Sequence, residues 1–328
     1  MKALRACVFY ACAVSAASLA WPALAQDAAT FPSKPVTIVV PGSPGGSVEL
    51  QVRILADAFR ERTGQPLVVT NRPGAMGSTG ATFVYRAPPD GYTLLASPNS
   101  PMVFNPLTNK SLNYEPLKLT PIVLLGVQPL TMGVRGDLPG TKLEDLVAYA
   151  KANPGKTFYG SQGIGGGNHM ASMLCEQHTG TSLKHVPCPG AGPASQGLLK
   201  GEIDFFMAPL AVLLPWYRDN KVKLFAVGGR ERAADAPDVP TFRELGYPEE
   251  FILTVWSVIV GPPGMAGDVS EKLNGHFTAA FADAKARERF KLIGVDPGGG
   301  SIKDLADMLA RETATWTRVA RENNIEKE

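Results

Sequence analysis

The chain has 328 residues, of which 45% are hydrophobic and 19% are charged, and its formal net charge is +2. A near-neutral balance with no cluster of Lys and Arg argues against a nucleic-acid partner. The length predicts two domains of roughly 150 residues, each large enough to bury its own hydrophobic core.

The first 25 residues predict a secretory signal peptide. Lys2 and Arg5 precede an apolar, Ala-rich stretch, and Ala23-Leu24-Ala25 fits the small-x-small pattern of a cleavage site. A membrane anchor is the alternative, but the stretch is shorter than the roughly 20 apolar residues that a span needs. We therefore expect export to the periplasm with cleavage near Ala25. Processing would remove no acidic residue and leave a net charge of 0.

Two apolar strands each run into a glycine-rich turn that opens a helix. Val36–Val40 predicts the first strand, and a helix is expected from about Val48. Residues 157–159 predict the second strand, with a helix from about His169. Such turns expose backbone N–H groups at the positive end of a helix, where an anion is stabilised. The pattern predicts a cleft that holds an anionic ligand from both sides.

Strands and helices alternate along the rest of the chain. Further strands are predicted near residues 67–70, 92–96, 122–134, 183–186, 203–207, 223–227 and 251–260. Further helices are predicted near residues 78–86, 142–152, 194–200, 208–217, 269–284 and 302–322. This order predicts an α/β protein with mainly parallel, doubly wound sheets, whose ligands bind at the carboxyl ends of strands.

Candidate ligand-binding residues all follow predicted strands. Backbone N–H groups of the turns would meet a carboxylate, with hydroxyl and amide side chains adding contacts. The first turn supplies Gly42, Ser43, Pro44, Gly45, Gly46 and Ser47, and the second supplies Ser161, Gln162, Gly165, Gly166, Gly167, Asn168 and His169. Two further strand ends add Ser97, Asn99, Ala208 and Pro209.

Two of the four cysteines, Cys175 and Cys188, remain after processing. An exported compartment permits a disulfide between them, and two buried thiols are the alternative. Sequence does not fix the geometry, so both readings stay open. The histidines show no metal-ligand spacing with each other or with the cysteines, and we predict no metal and no cofactor.

Several segments in order resemble one protein family. The run from Pro32 to Glu49 is similar to P-x-K-P-V-x-[IL]-V-V-P-[FY]-x-P-G-G-x-x-D, and Asn71 to Ala81 is similar to N-R-P-G-A-x-G-x-x-G-A. Residues 89–94 read P-D-G-Y-T-L, and His185-Val186-Pro187 reads H-V-P. The chain therefore resembles the substrate-binding proteins of tripartite tricarboxylate transporters, the Bug-type periplasmic receptors.

The resemblance implies a type II periplasmic binding protein of the Venus-flytrap kind. Two doubly wound domains would be joined by hinge segments near 122–131 and 250–258. Domain I would comprise residues 26–130 and 251–328, and domain II residues 131–250. The implied function is capture of a small organic carboxylate in the cleft by a monomer without catalytic activity. The implied partner is a membrane permease of the tripartite tricarboxylate type.

The chain departs from the family pattern at several positions. Gly42 stands where the pattern has an aromatic residue, which suggests room for a bulkier ligand. Glu49 replaces an Asp and is read as a favourable partner of the helix dipole. Cys175 and Cys188 stand where aromatic residues are expected, which favours the disulfide slightly.

Two other functions are considered. A serine hydrolase would require G-x-S-x-G, which is absent, and the second turn fails the dinucleotide-binding fingerprint because its last position is Asn168. A receptor for a membrane histidine kinase would use the same fold, and nothing in this chain separates it from a transport receptor. The sequence does not name the ligand, its affinity or the redox state of the cysteines.

Overall fold

A computed structural model of the chain describes residues 31–188, 190–323, 325 and 327. The predicted signal peptide lies outside the described residues. Within them, every helix is too short or too polar to cross a bilayer.

Strands and helices alternate through most of the chain. The strands are β1 (Val36–Val40), β2 (Leu67–Asn71), β3 (Thr93–Pro98), β4 (Thr120–Arg135), β5 (Thr157–Ser161), β6 (Leu183–Pro187), β7 (Phe205–Pro209), β8 (Val222–Val227), β9 (Thr254–Gly261) and β10 (Asp296–Gly299). The helices are α1 (Ser47–Thr63), α2 (Ser78–Tyr85), α3 (Asn105–Thr108), α4 (Leu143–Ala152), α5 (Gly167–Thr179), α6 (Ala191–Lys200), α7 (Leu210–Arg218), α8 (Gly267–Phe281), α9 (Ala284–Leu292) and α10 (Ile302–Glu322).

The strands form two sheets that share β4. The first sheet has the order β2-β1-β3-β9-β4-β10, and the second has the order β6-β5-β7-β4-β8. In the first sheet β1, β2 and β3 are parallel, and the pairs β3–β9, β9–β4 and β4–β10 are antiparallel. In the second sheet β5, β6 and β7 are parallel, and β4 pairs antiparallel with both β7 and β8. The prediction of mainly parallel sheets is therefore wrong. Strand β9 lies antiparallel beside β3, and strand β4 lies antiparallel beside β7, which makes both sheets mixed.

Strand β4 connects the two sheets directly. Its first part pairs with β9 and β10, and Leu130–Val134 pair with β7. At the changeover the Leu130 N–H donates to the Leu253 carbonyl at 2.8 Å, just before β9 begins. The chain thus passes between the sheets in the segments that the sequence suggests as hinges. The domain limits themselves stay a proposal.

Apolar side chains cover both faces of each sheet. One cluster lies between the first sheet and helices α1 and α8, and another lies between the second sheet and helices α6 and α7. The largest cluster includes residues of both sheets, such as Val39 of β1 and Phe205 of β7, together with Phe104, Leu174 of α5 and Trp316 of α10. Burial on both faces explains why β1 reads as an uninterrupted apolar run in the sequence.

The prediction is less accurate near the carboxyl end. Two helices were expected after β9, whereas the structure has α8, α9, β10 and α10. Ser301 caps α10 as predicted, because its hydroxyl accepts from the Asp304 N–H at 3.1 Å. For α4 the sequence suggests a capping box of Thr141 and Glu144, but this is wrong: the N-cap is Lys142, and Asp145 accepts from the N–H groups of Thr141 and Lys142.

Candidate functional site

The predicted site residues lie where β1, β3, β5 and β7 end. We call residues 42–47 the first turn and residues 161–169 the second turn. A segment after β3 reaches the second turn, because an ideal Cβ on Gly167 would lie 3.1 Å from the Phe104 ring and 3.6 Å from Asn99 Nδ2. Strands β1 and β3 are parallel neighbours, so the same segment also lies beside the first turn.

The two turns have the same backbone geometry. Gly45 and Gly165 are left-handed, with φ of 80° and 73°, and the next glycine in each turn is the N-cap of its helix. The N-cap Gly46 donates to the Ser43 carbonyl at 3.3 Å, and Gly166 donates to the Gly163 carbonyl at the same distance. Glycine is required at the left-handed positions because other L-residues are strained there.

The helices that follow the two turns begin without a side-chain cap. Neither α1 nor α5 has a capping side chain among the described residues, and their first backbone bonds run from Leu50 and Met170 back to the N-caps. An uncapped helix start leaves three N–H groups without an intrahelical partner. Such groups, together with the helix dipole, form a binding site for an anion.

In each turn one glycine N–H is turned away from the cleft toward a side chain. The Gly45 N–H donates to Glu49 Oε2 at 3.0 Å, and the Gly165 N–H donates to His169 Nδ1 at 3.0 Å. In both cases the acceptor lies four residues later and is the third residue of the helix. The side chains of Glu49 and His169 are therefore structural parts of the turns.

Glu49 is buried beneath the first turn. Its carboxylate also accepts from Arg53 Nε at 2.7 Å and from Asn71 Nδ2 at 3.0 Å. These hydrogen bonds, with the one from Arg53 the strongest cause, lower the pKa of Glu49. The charge of Glu49 is thus stabilised by direct hydrogen bonds from the protein. The sequence had suggested only an interaction with the helix dipole.

Ser161 is fully buried and its hydroxyl is satisfied by the protein. Ser161 Oγ lies 2.6 Å from His185 Nε2 and 2.9 Å from the Gly163 carbonyl, and it accepts from the Gly163 N–H at 3.1 Å. All three contacts are satisfied when the hydroxyl donates to the carbonyl and His185 donates from Nε2. A direct bond from Ser161 to a ligand would require one of these bonds to be exchanged.

The imidazoles of His169 and His185 stack with their centroids 4.0 Å apart. Tyr159 stacks on His185 from the same core, with centroids 5.1 Å apart. Burial, and then the charge on His185, lower the pKa of His169 to about 4. Burial also lowers the pKa of His185. Both rings are therefore neutral at physiological pH.

The remaining predicted residues fall into two groups. Gly42 and Ser43 to Ser47 are open to solvent to differing degrees, and a Cβ on Gly42 or Gly45 would meet nothing within 4 Å. Gln162 is also exposed. The buried group shapes the walls: Ser97 donates to the Pro98 carbonyl at 2.9 Å, and Asn168 Nδ2 donates to the Met207 carbonyl, beside Ala208 and Pro209.

An aromatic and acidic cluster supports the second turn from behind. Phe104 packs edge-on against Trp316 of α10, with ring centroids 5.3 Å apart. Glu312 accepts from the indole N–H groups of Trp316 at 3.1 Å and of Trp256 at 3.2 Å. Trp256 lies on β9, so this cluster connects the site to a hinge strand. Trp256 is itself buried in the large core that spans the two sheets.

The two cysteines are free thiols, and the possible disulfide is not formed. Cys175 is buried in the large core that spans the sheets, whereas Cys188 lies at the edge of the cluster around α6 and α7. Their placement in separate hydrophobic clusters is the physical reason. No group of three or more His, Cys, Asp and Glu able to hold a metal is found in the described part of the chain.

Sequence reasoning missed several residues that shape the site: Asn71, Phe104, Thr108 and His185. One signal was available. The spacing Gly-Gly-x-x-acceptor occurs in both turns, as Gly45 to Glu49 and as Gly165 to His169. The contacts from Phe104 and Thr108 depend on the packing of two distant segments and left no local pattern.

The chain matches the model of the tripartite tricarboxylate transporter family receptors over residues 51–325. It is 31% identical to Protein BugT of Bordetella pertussis over 311 residues, which is 94% of each chain. Rpa4515 of R. palustris, solved with adipate, is 28% identical with a TM-score of 0.78, over 91% of this chain and 100% of that one.

MatC of Rhodopseudomonas palustris, solved with bound malate, is 29% identical with a TM-score of 0.74, over 88% of this chain and 99% of that one. These likenesses confirm the expected fold class of two doubly wound α/β units joined by a hinge.

Proposed function

The chain belongs to the tripartite tricarboxylate transporter receptor family, and from that premise we propose that it is an exported receptor for a small organic carboxylate. The ligand would bind between the two sheets, at the first and second turns. The receptor would then deliver it to a membrane permease of the tripartite tricarboxylate type.

The repeated geometry of the two turns is the observation that carries this proposal. Both present uncapped helix starts, and both hold their shape by an internal acceptor at the third helical position. Because the shape is fixed before a ligand arrives, little ordering cost falls on binding. The proposed contacts are the N–H groups of Ser47 and Val48 at the start of α1 and of Gly167 and Asn168 at the start of α5.

Dipoles rather than a cation would meet the charge of the ligand. The two titratable residues that brace the turns, Glu49 and His169, accept hydrogen bonds from the N–H groups of Gly45 and Gly165. Their polar atoms are thus already bonded within the protein. Hydrogen bonds from backbone N–H groups to a carboxylate are charge-assisted and short, so a carboxylate is favoured over a neutral ligand of the same shape. Gly42 and its open surroundings support a ligand bulkier than a C4 acid.

A thermal-shift screen of the mature protein tests the ligand class. The panel would contain malate, adipate, longer dicarboxylates and aromatic carboxylates, with neutral sugars and free amino acids as controls. A ligand at 100 times its Kd adds about 2.7 kcal/mol, which for a chain of this size raises Tm by about 5–10 °C. A shift confined to carboxylates supports the proposal, and a shift only with the controls contradicts it.

The proposed partner is the permease, and a membrane sensor kinase is the alternative. Closure on a ligand would create the surface that either partner recognises. Co-purification of the ligand-loaded receptor with a permease of the tripartite tricarboxylate type would support transport, and co-purification with a histidine kinase would support sensing.

Hydrolysis is not supported, although Ser161 and His185 are 2.6 Å apart. Ser161 is fully buried, and its hydroxyl also contacts the Gly163 backbone. Within the described residues, no carboxylate orients the His185 ring as a nucleophile-activating triad requires. The contact instead holds the second turn.

A further inference from the structure

His169 holds the second turn through a single acceptor atom. The Gly165 N–H donates to Nδ1 of this ring at 3.0 Å, so the neutral imidazole must carry its proton on Nε2. The bond turns the Gly165 N–H away from the cleft. It also fixes the left-handed conformation of Gly165 that places Gly166 as the N-cap of α5.

A protonated His169 has no acceptor to offer. Both ring nitrogens of an imidazolium are donors, so Nδ1–H and the Gly165 N–H would point at each other. His185 differs, because the bonding around Ser161 assigns it a donating Nε2 that protonation does not remove. Acid therefore acts on the turn through His169.

The first turn uses an acceptor of a different chemical kind. Its acceptor at the equivalent position is Glu49, whose charge is held by Arg53 and Asn71. No cation is paired with His169 in the described structure, and its ring is buried against His185. The two turns thus share a backbone, but a carboxyl keeps an acceptor oxygen when it is protonated, whereas an imidazolium keeps no acceptor.

Few other ionisable groups face His169. Tyr159 on β5 stacks near it at 6.1 Å between centroids, and His185 on β6 stacks at 4.0 Å. Strand β7 contributes no titratable residue. On α5 itself Glu176 lies further along the helix, and on α10 Glu322 lies beside Gln177 at the far end. His185 is the one titratable neighbour that lowers the pKa of His169.

We propose that His169 is a positioning residue, and that the second turn keeps its binding conformation only while this imidazole is neutral. The ligand would then be released on acidification, without any change at the first turn. This inference rests on the proposed function, because it assigns a regulation to the same site.

The first experiment needs no ligand. The amide resonance of Gly165 is followed by ¹H–¹⁵N NMR as the pH is lowered from 7.5 to 3.5, together with the His169 ring signals. The two should move with one midpoint near pH 4, and the Gly165 amide should lose protection from hydrogen exchange. A Gly165 amide that stays fixed while the His169 ring titrates would overturn the inference.

Substitutions of His169 separate its role as a hydrogen-bond acceptor from its ability to become charged. His169→Gln copies the oxygen acceptor that Glu49 supplies, without a titrating ring, and should abolish the transition of Gly165. His169→Leu removes the acceptor and should leave the turn disordered at every pH. Glu49→Gln is the matched control on the first turn and should retain the transition at Gly165. Far-UV circular dichroism identifies any variant that has unfolded.

Adipate is the probe for the binding arm, measured by calorimetry over the same pH range. With a midpoint near pH 4, the affinity of the wild-type chain relative to that of H169Q should be about fourfold lower at pH 3.5 than at neutral pH. Protonation of adipate itself affects binding to the wild-type chain and to H169Q equally. The ratio of their two Kd values therefore reports the protonation of His169 alone. If this ratio is independent of pH, the inference fails. If adipate binds neither protein, the result counts against the proposed function with this ligand. The proposal for His169 is still tested by the NMR titration of the Gly165 amide.

Discussion

Thr108 packs directly against Gly165, although the two residues follow strands of different sheets. A Cβ on Gly165 would overlap Thr108 Cγ2 and lie 3.2 Å from Thr108 Cβ. Gly165 also has a φ of 73°. The second turn therefore needs glycine here for two separate reasons, one conformational and one steric.

Gly165→Ala should weaken carboxylate binding at least tenfold, because the new methyl group pushes the second turn away from α3. The left-handed conformation alone costs roughly 1 kcal/mol with alanine. Thr108→Ser removes the methyl group that the new Cβ would meet, so the double variant should recover part of the affinity. Calorimetry with adipate on both variants checks this, and equal affinities for them would show that the steric contact is unimportant.

Much of the fold is readable from local sequence. Gly46 and Gly166 precede α1 and α5, Gly64 ends α1 with a left-handed C-cap, and Ser301 caps α10. The antiparallel entry of β4 and β9 was not predicted. This antiparallel pairing depends on which strands become neighbours in the folded chain. The local sequence of β4, a sixteen-residue strand that belongs to both sheets, resembles that of any other extended segment.

Ser161→Ala should lower both stability and ligand affinity. It leaves His185 Nε2 and the Gly163 backbone without their partner in a buried place, which costs about 1–3 kcal/mol. Ser47→Ala is the comparison on the first turn, where the hydroxyl is exposed and accepts only from Gln51 Nε2 at 3.2 Å. The double variant should bind more weakly than either single one and remain folded.

Thermal denaturation and adipate titration on these variants check the prediction. A loss of about 1–3 kcal/mol corresponds to a fall in Tm of roughly 2–10 °C for a chain of this size. Unchanged affinity in the double variant would contradict the placement of the ligand at the two turns.

The strand ends that form the candidate site follow from the alternation of strands and helices, since parallel strands end at one edge of a sheet. The roles of individual side chains do not follow in the same way. Ser161 and His169 look like ligand contacts in the sequence, yet their polar atoms bond to the turn itself. Only the path of the backbone decides whether such a group faces the cleft or the protein.

The cysteines should be found reduced in the mature protein. Cys175 and Cys188 belong to different hydrophobic clusters, and burial raises the pKa of both thiols. Alkylation in denaturant without reductant, followed by mass spectrometry, should add two labels to each mature chain. In the native protein Cys188 should react first and Cys175 only on unfolding. A mature chain that takes up no label without reductant would establish the bridge instead.

Glu312 should make the protein less stable as the pH rises. Burial raises the pKa of this carboxyl. The hydrogen bonds from the indoles of Trp256 and Trp316 lower the pKa, but they offset only part of the effect of burial. The folded state therefore binds more protons than the unfolded state above the ordinary value of 4.5. The free energy of unfolding then falls as the pH rises from 4.5 through the raised pKa. His169 has the opposite sign, because its pKa is lowered in the folded state.

Glu312→Gln tests this, because the amide oxygen still accepts from an indole N–H but carries no charge. The Tm of E312Q should exceed that of the wild-type chain at pH 7.5, and the difference should shrink toward pH 4.5. Glu312→Leu should lower Tm at both pH values, since it leaves two buried N–H groups without an acceptor at about 1–3 kcal/mol each. Glu288→Gln, which removes the same charge from an exposed position on α9, should leave Tm nearly unchanged. A gain in Tm for E312Q that is equal at both pH values would mean that packing, and not the buried charge, limits stability at this end of the hinge.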